Sequence, residues 1–414
     1  MISVPWRVAS FLFVAAGLNY ADRTALASVL PPLREQLGAT DWQLGLANTL
    51  FLWSYAIASP FAGAIADRFS RARMVLLSLI AWSAVTVATG FVQSVEGLYA
   101  ARIALGVTES LYLPAAAALL ADHHGRETWG RATGFHLLGL NLGLVMGGAA
   151  AGTMAEWYGW RTGFWVLGGL GLALALFAKP LLVDGPARPV AAGTAAAPKA
   201  GFAESWAYLV RTPSFLCILL SAMVAGVASW IFLSWLPLFF SENYGMGLGA
   251  AGLAGVLIYK GPVFVGIAIG GWLSDRMILR DKRARALIKA LSFLLSAPFL
   301  FAFMGAPTFT LVAVTMILSA IIRAVGTPSE HPIIAEIVPP QYRAAAVGLF
   351  NTCGTAAGGL GVLLAGILKK DLGLNVIFGA SSFLYILTGL LFLLAWRVWF
   401  AGDQERARLA APAA

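Results

Sequence analysis

Residues 63–73 read GAIADRFSRAR, and residues 271–283 read GWLSDRMILRDKR. Both stretches begin with the pattern Gly-x-x-x-Asp-Arg and continue into basic residues, and their first glycines lie 208 positions apart in a chain of 414. A repeat at half the chain length indicates a duplicated unit. The pattern therefore predicts that the two halves of the chain share one architecture.

We expect the repeated motif to act in a conformational change. Gly63 lets two helix ends approach closely because it has no side chain. Asp67 can pair with an arginine or lie at a helix N-terminus across the loop, and that contact would break when the halves move. The other interpretation is an ordinary basic loop. The motif residues are Gly63, Asp67, Arg68, Arg71, Asp275 and Arg276.

The composition indicates a membrane protein. Hydrophobic residues make up 59% of the chain and charged residues only 11%, whereas soluble proteins carry about 25% charged residues. No soluble core could hide that much apolar surface, so lipid must surround most of the chain. The net charge of +9 falls in short clusters between apolar segments, which is typical of membrane topology and excludes a basic face for nucleic acid.

Twelve apolar segments have about the length that a spanning helix needs, which is some 20 residues. They cover residues 7–30, 43–66, 74–93, 96–120, 132–153, 160–182, 213–240, 250–274, 286–306, 309–337, 346–368 and 375–398. We therefore predict an all-α membrane protein with two pseudo-symmetric six-helix bundles. The predicted domains are an N-terminal bundle (1–182), a cytoplasmic linker (183–212), a C-terminal bundle (213–400) and a cytoplasmic tail (401–414).

Basic residues orient the predicted helices, because cytoplasmic loops carry an excess of Lys and Arg. With both termini inside, 20 of the 28 Lys and Arg residues lie on the cytoplasmic side, Lys289 among them, and four lie outside. The first segment runs past Asp22 and Arg23 without a small-residue cleavage site, so we interpret it as a spanning helix and not as a signal peptide. Cys217 and Cys353 lie far apart in apolar segments, which predicts packing residues.

A charge inside a spanning helix costs about 2.5–3.5 kcal/mol and usually marks function. The ionisable residues of the predicted spans are Asp22, Arg23, Arg102, Glu109, His136, Lys260, Arg323, Glu330 and His331. Their four cations outnumber their three carboxylates, and a positive cavity favours an anion. Arginine has a planar fork that suits a carboxylate or phosphate.

Helix geometry suggests partners for these charges. Arg102 and Glu109 are seven residues apart and therefore share one helix face, whereas the neighbours Asp22 and Arg23 point about 100° apart. We predict that Asp22 pairs with Arg102 and that Arg23 meets the substrate. Arg323 and Glu330 repeat the spacing of seven, either as an inherited face or by coincidence.

Buried carboxyls are the candidates for carrying a proton. Glu109 is the first candidate and Asp22 the second, and Glu330 is their counterpart in the other half. The alternative is that Glu109 only neutralises Arg102. His136 is either a proton relay or a polar part of the cavity wall.

The chain resembles the major facilitator superfamily. GAIADRFSRAR is similar to the family's signature between helices 2 and 3, with Ser70 where glycine is usual, and Arg102 to Gly106 matches the Arg-x-x-x-Gly of helix 4. A glycine-rich fifth segment completes the likeness, with Gly139, Gly143, Gly147, Gly148 and Gly152. The resemblance implies two six-helix bundles around a central cavity and transport by alternating access.

Within that superfamily the chain looks like the anion:cation symporter branch. The resemblance is carried by Asn19–Leu26 (NYADRTAL), Arg102, Glu109 and Pro114, Gly159–Arg161 (GWR), Trp235–Pro237 (WLP) and Gly348–Thr352 (GLFNT). It implies that Arg23 contacts a substrate carboxylate, that Asp22 and Arg102 interact, and that Glu109 takes part in proton coupling. Spinster-type lipid transporters share Asn-Tyr-x-Asp-Arg and the Arg-to-Glu spacing, but usually follow that Glu with Ala-Ser, where this chain has Ser110-Leu111.

The sequence therefore predicts a proton-coupled symporter of a small organic anion, such as a sugar acid. The alternative is a Spinster-like lysolipid, sphingolipid or drug transporter. The predicted substrate-binding residues are Arg23, Arg102, Tyr20, His136, Lys260, Arg323 and Asn351, and the proton-coupling residues are Asp22, Glu109 and Glu330. Since no catalytic, metal-binding or phosphate-binding pattern appears, we expect no enzyme, metal or cofactor. We expect a monomer in a bacterial inner membrane with cytoplasmic termini.

Overall fold

A computed structural model describes residues 3–66, 69–125, 127–185, 201–279, 281, 283–305 and 307–410 of the protein. Within these ranges the regular structure is entirely helical. The α-helices are α1 (Val4–Ser28), α2 (Leu30–Leu37), α3 (Asp41–Ala66), α4 (Arg71–Thr89), α5 (Val95–Ser110), α6 (Tyr112–His123), α7 (Trp129–Tyr158), α8 (Trp160–Leu176), α9 (Ala178–Leu181), α10 (Phe202–Leu209), α11 (Pro213–Tyr244), α12 (Leu248–Lys260), α13 (Val263–Ile278), α14 (Ala284–Ser296), α15 (Phe309–Val325), α16 (Glu330–Ile337), α17 (Arg343–Val398) and α18 (Phe400–Leu409).

Eight helical segments of the described chain are long and apolar enough to cross a membrane. One of them, Pro340–Val398, contains two helices, because Gly373 interrupts α17 with φ 76° and ψ 156°, a conformation that favours glycine. The shorter α8 is apolar throughout, and α1 and α3 have 25 and 26 residues, enough to cross at 1.5 Å per residue. These segments account for the twelve predicted crossings and confirm the all-α fold class.

Three of the crossings are broken near ionisable residues. One span changes from α5 to α6 at Leu111, just after Glu109, and another changes from α12 to α13 just after Lys260. Between α15 and α16 lies a 3₁₀ turn, Thr327–Ser329, whose proline cannot continue an α-helix. Arg323 and Glu330 therefore lie on two separate helices and do not share one continuous helix face. Broken helices of this kind are tolerated where the backbone is buried in protein or lines a cavity.

The chain divides into two compact units. The first unit consists of Met1–Ala191, Leu233–Val256 and Val362–Ile367. Within it, α1 packs along α7, α3 along α5 and α4 along α8. The two later segments are fastened by polar contacts: Arg34 donates to Glu242 at 3.1 Å, and the indole of Trp235 donates to the carbonyl oxygen of Val362 at 3.2 Å.

The second unit consists of Ala192–Phe232, Leu257–Gly361 and Leu368–Ala414. Here α15 packs against both α13 and α14. The terminal helix α18 is held by Asp403, which is buried, accepts a hydrogen bond from the backbone N–H of Ser214 at 2.9 Å and pairs with Arg406. The predicted domain boundaries at residues 182, 212 and 400 stay a prediction.

Candidate functional site

The central feature of the first unit is a buried ion pair between α1 and α5. Nε of Arg23 donates to Oε2 of Glu109 at 2.9 Å, and the two side chains are 6% and 0% exposed. Removing one partner of such a pair costs about 3–5 kcal/mol, because the other charge is left uncompensated. The state of Glu109 and the position of Arg23 are therefore strongly linked.

Aromatic rings surround the guanidinium of Arg23. Its Cζ atom lies 4.3 Å from the ring centroid of Tyr20, 4.6 Å from that of Tyr55 and 5.5 Å from that of Phe51. Each ring presents its negative face to a cation at these distances. Tyr20, a predicted binding residue, thus lies in the same cluster as Arg23 and holds the cation in place together with Tyr55.

Asp22 and Arg102 do not pair with each other, contrary to the prediction. The carboxylate of Asp22 accepts a hydrogen bond from the Thr86 hydroxyl of α4 at 2.9 Å. Arg102 donates from Nη2 to the Asn48 side chain of α3 at 3.0 Å, and its Cζ lies 4.5 Å from the Phe51 ring. The two α1 neighbours do point to different helices, Asp22 towards α4 and Arg23 towards α5.

His136 joins a chain of hydrogen bonds beside this cluster. The Tyr112 hydroxyl donates to the carbonyl oxygen of Leu12 at 2.8 Å and lies 3.0 Å from Nε2 of His136. Because the single hydroxyl proton is used on Leu12, Nε2 must carry the proton of its own bond with Tyr112. His136 is 5% exposed, so the structure places it in a packed polar network.

The second unit gathers a separate group of the predicted residues. Lys260 and Arg323 approach the same ring: Nζ of Lys260 lies 5.0 Å, and Cζ of Arg323 5.4 Å, from the centroid of Tyr259. The ring centroid of Tyr385 lies 6.0 Å from Cζ of Arg323. Asn351 is an exposed residue of α17.

Glu330 is paired with a lysine that sequence analysis counted on the cytoplasmic side. Lys289 lies within α14, its side chain is 3% exposed, and its Nζ donates to Oε1 of Glu330 at 2.7 Å. The count of cytoplasmic charges included Lys289 although it falls inside the predicted span 286–306, and the structure places it within α14, which begins at Ala284. One further buried cation and its carboxylate thus belong to the second unit.

The structure describes only part of the repeated Gly-x-x-x-Asp-Arg motif. Asp67 and Arg68 lie outside the described residues, Gly63 is within α3, and Asp275 and Arg276 are exposed near the end of α13. Arg71 pairs with Asp122 of α6. This contact ties the motif of the first unit to the end of a neighbouring span.

Ser70, the departure from the family signature, has a defined structural role. Its hydroxyl oxygen accepts the backbone N–H of Arg73 and caps α4, and the hydroxyl donates to Asp184 at 2.5 Å. The Asp184 carboxylate also accepts the N–H of Ala72 at 2.9 Å. Partial burial alone would raise the pKa of Asp184, but these hydrogen bonds and the nearby Arg73 charge bring the pKa below its ordinary value.

Sequence reasoning missed most of the neutral partners of the buried charges. Asn48 and Thr86 are polar residues within apolar spans, and that placement is the signal that could have found them. Tyr55 has no such signal, since aromatic residues are ordinary in spanning helices. Among the described residues no cluster of three or more His, Cys, Asp or Glu side chains could hold a metal ion.

Comparison with known proteins identifies the family. Residues 12–297 and 266–412 match the Major Facilitator Superfamily. An MFS-type efflux pump of Mycolicibacterium smegmatis is 28% identical over 89% of this chain and 85% of its own length. A voltage-gated purine nucleotide uniporter of Homo sapiens is 26% identical over 87% and 85%. Other relatives are named as probable anion, sulfoacetate and L-galactonate transporters.

A solved structure supports the fold. A bacterial homologue of the human lysosomal transporter Spinster, in an inward-facing and unoccupied conformation, superposes with a TM-score of 0.80 at 21% identity and full coverage of both chains. Its low identity limits this likeness to the fold. Because the family match spans nearly the whole described chain, the protein is a multi-pass membrane transporter and not an enzyme. The chain belongs to the Major Facilitator Superfamily.

Proposed function

We propose that the protein is a secondary active transporter that carries a small organic anion together with protons by alternating access. The observation that carries this proposal is the buried pair of Arg23 and Glu109. Protonating Glu109 removes the negative charge that holds the guanidinium. A proton on Glu109 would therefore change the position or the availability of Arg23, which is the coupling that a symporter needs.

The charge of the buried groups supports an anionic substrate. In the first unit, Asp22 and Glu109 balance Arg23 and Arg102, and protonation of Glu109 tips that balance to positive. In the second unit, Lys260 and Arg323 form no ion pair with a carboxylate of the described chain. Positive, water-poor surroundings favour an anion, and the names of several relatives fit this class.

Efflux of a lipid or drug is the second candidate, and the name of the Mycolicibacterium smegmatis relative favours it. An efflux pump would export apolar compounds while protons enter down their gradient. It would show no accumulation of sugar acids. For both candidate functions we propose a monomer in a bacterial inner membrane with cytoplasmic termini.

The test is uptake by proteoliposomes with an inward proton gradient, across D-gluconate, D-glucuronate, sulfoacetate and a neutral sugar alcohol. We expect accumulation of at least one anion, none of the neutral compound, and loss of accumulation when the gradient is collapsed. Failure of every anion to accumulate would contradict the symport proposal. Export of apolar dyes under the same gradient would then support the efflux candidate.

The residue-level test replaces Glu109 by Gln, which keeps the shape but cannot gain or lose a proton. Glu109→Gln should retain counterflow exchange at a rate within about threefold of the parent and lose gradient-driven accumulation. The matched control is Glu96→Gln, an exposed carboxylate in the first turn of the same helix. Normal accumulation by Glu109→Gln would remove this residue from the coupling mechanism.

A further inference from the structure

Arg323 has an unused hydrogen-bonding edge. Its Nε and Nη2 atoms are both buried and have no hydrogen-bond partner in the described chain. These two nitrogens lie on one edge of the planar guanidinium, the edge that donates two parallel hydrogen bonds to a carboxylate or a similar oxyanion. Buried donors without a partner are costly, so this arrangement indicates a site that a ligand completes.

The corresponding edge is fully bonded inside the protein in Arg23 and half bonded in Arg102, whose Nε and Nη1 are also buried without a partner in the described chain. Arg23 donates from Nε to Glu109 at 2.9 Å and from Nη2 to Asn19 at 3.4 Å. Arg102 donates from Nη2 to Asn48 at 3.0 Å. Of the three, only Arg323 keeps both nitrogens of this edge available.

The charge around Arg323 also points to an anion. Lys260 and Arg323 both lie within 5.4 Å of the Tyr259 ring centroid, so one ring faces two cations. The carboxylate of Glu330 is held by Lys289 at 2.7 Å, which leaves the two cations without a paired carboxylate. Phe232 stacks on Tyr259 with a centroid distance of 5.4 Å and packs against its ring.

We propose that the Nε–Nη2 edge of Arg323, together with Lys260, binds the oxyanion group of the transported substrate. The class of ligand is a small anion with a carboxylate or a sulfonate, since both offer two oxygens to one guanidinium edge. Arg23 then serves as the partner of Glu109 and not as the main anchor of the anion. This inference rests on the proposed anion transport.

The test compares Arg323 variants in the uptake assay with D-gluconate as the carboxylate and sulfoacetate as the sulfonate-bearing probe. Arg323→Lys keeps the charge but loses the planar edge, and we expect its KM to rise about tenfold. Arg323→Gln loses both, and we expect a rise of about a hundredfold. The matched control is Arg408→Gln, an exposed residue of α18 whose side chain is 69% accessible, which should leave KM unchanged.

Thermal unfolding in detergent separates binding from a structural role. Without substrate, Arg323→Gln should unfold at the same temperature as the parent or higher, because it removes unpaired buried charge. With a transported anion, the parent should be stabilised and Arg323→Gln should not. A parental KM in Arg323→Gln, or a clear loss of substrate-free stability, would overturn this inference. If the parent protein accumulates no anion at all, the proposed function itself fails.

Discussion

Three buried arginines of this protein differ at the residue scale in what their guanidinium groups contact. Arg23 is paired with a carboxylate, Arg102 with an amide, and Arg323 lies over aromatic rings. The same residue type therefore lies in three different electrostatic environments. An arginine guanidinium is not deprotonated in proteins, so within the pair of Arg23 and Glu109 the carboxyl is the group whose charge can change during transport.

Asp184 offers a pH-dependent prediction outside the membrane. Its carboxylate accepts from Ser70 and Ala72 at the N-terminus of α4, where a negative charge is worth about 0.3–1 kcal/mol. Because its folded pKa is lowered, this stabilisation is fully present above the unfolded pKa of about 3.9 and is lost as the pH falls through the folded value.

We therefore expect Asp184→Asn to lower the free energy of unfolding by about 0.3–1 kcal/mol at pH 7, and the difference from the parent to vanish under acid conditions. Thermal unfolding in detergent between pH 7 and pH 2 measures it, since the folded pKa of Asp184 lies below its ordinary value. Glu127→Gln, at an exposed loop carboxylate, is the control. A difference that persists unchanged at low pH would show that charge at α4 is not the cause.

The residue scale also shows what sequence could predict of the site. Asp22, Arg23, Arg102 and Glu109 were found because charges in lipid-length apolar segments are expensive and therefore informative. Their partners were not found, because a partner depends on how each helix is rotated about its axis. Asp22 consequently contacts Thr86 and not Arg102.

At the scale of elements, α1 and α7 pack through glycines. A Cβ atom added at Gly143 would overlap the backbone carbonyl of Gly17, and one at Gly147 would overlap the backbone of Ala21. Small residues at helix interfaces let backbones approach closely within a membrane. Contact with the first segment, which carries Asp22 and Arg23, thus explains Gly139, Gly143 and Gly147, whereas a Cβ atom at Gly152 would overlap the backbone of Leu248 in α12.

Gly143→Ala should accordingly destabilise the first unit by about 1–3 kcal/mol, the usual cost of overpacking. The measurements are the yield of folded protein and its unfolding temperature in detergent. Gly134→Ala is a matched control on the same helix, because a Cβ there meets no atom within 4 Å. Equal stability of the two variants would mean that α1 and α7 can separate at little cost.

At the scale of the whole molecule, an even number of crossings places both termini on one side of the membrane. The distribution of Lys and Arg predicts that this side is the cytoplasm. The loop between α4 and α5 would then face outwards, and the loop between α6 and α7 inwards. Two exposed positions, Gln93 and Gly125, lie in these loops.

Single cysteines at these positions test the orientation in a background in which Cys217 and Cys353 are replaced by Ala. Gln93→Cys should react with a membrane-impermeant maleimide on intact cells to at least about ten times the extent of Gly125→Cys, because a charged reagent cannot cross the hydrocarbon core. Gly125→Cys should react only after lysis. The reverse pattern would invert the topology, and equal labelling would contradict the number of crossings.

Sequence by itself determined the fold class, the number of crossings and the identity of most buried charges. These follow from local requirements, since each span in lipid must be long, apolar and internally hydrogen-bonded. Only the tertiary structure decided that Arg23 pairs with Glu109, that Lys289 is buried against Glu330, and that the edge of Arg323 is open. Those outcomes depend on the rotation and offset of helices far apart in sequence, which no local pattern encodes.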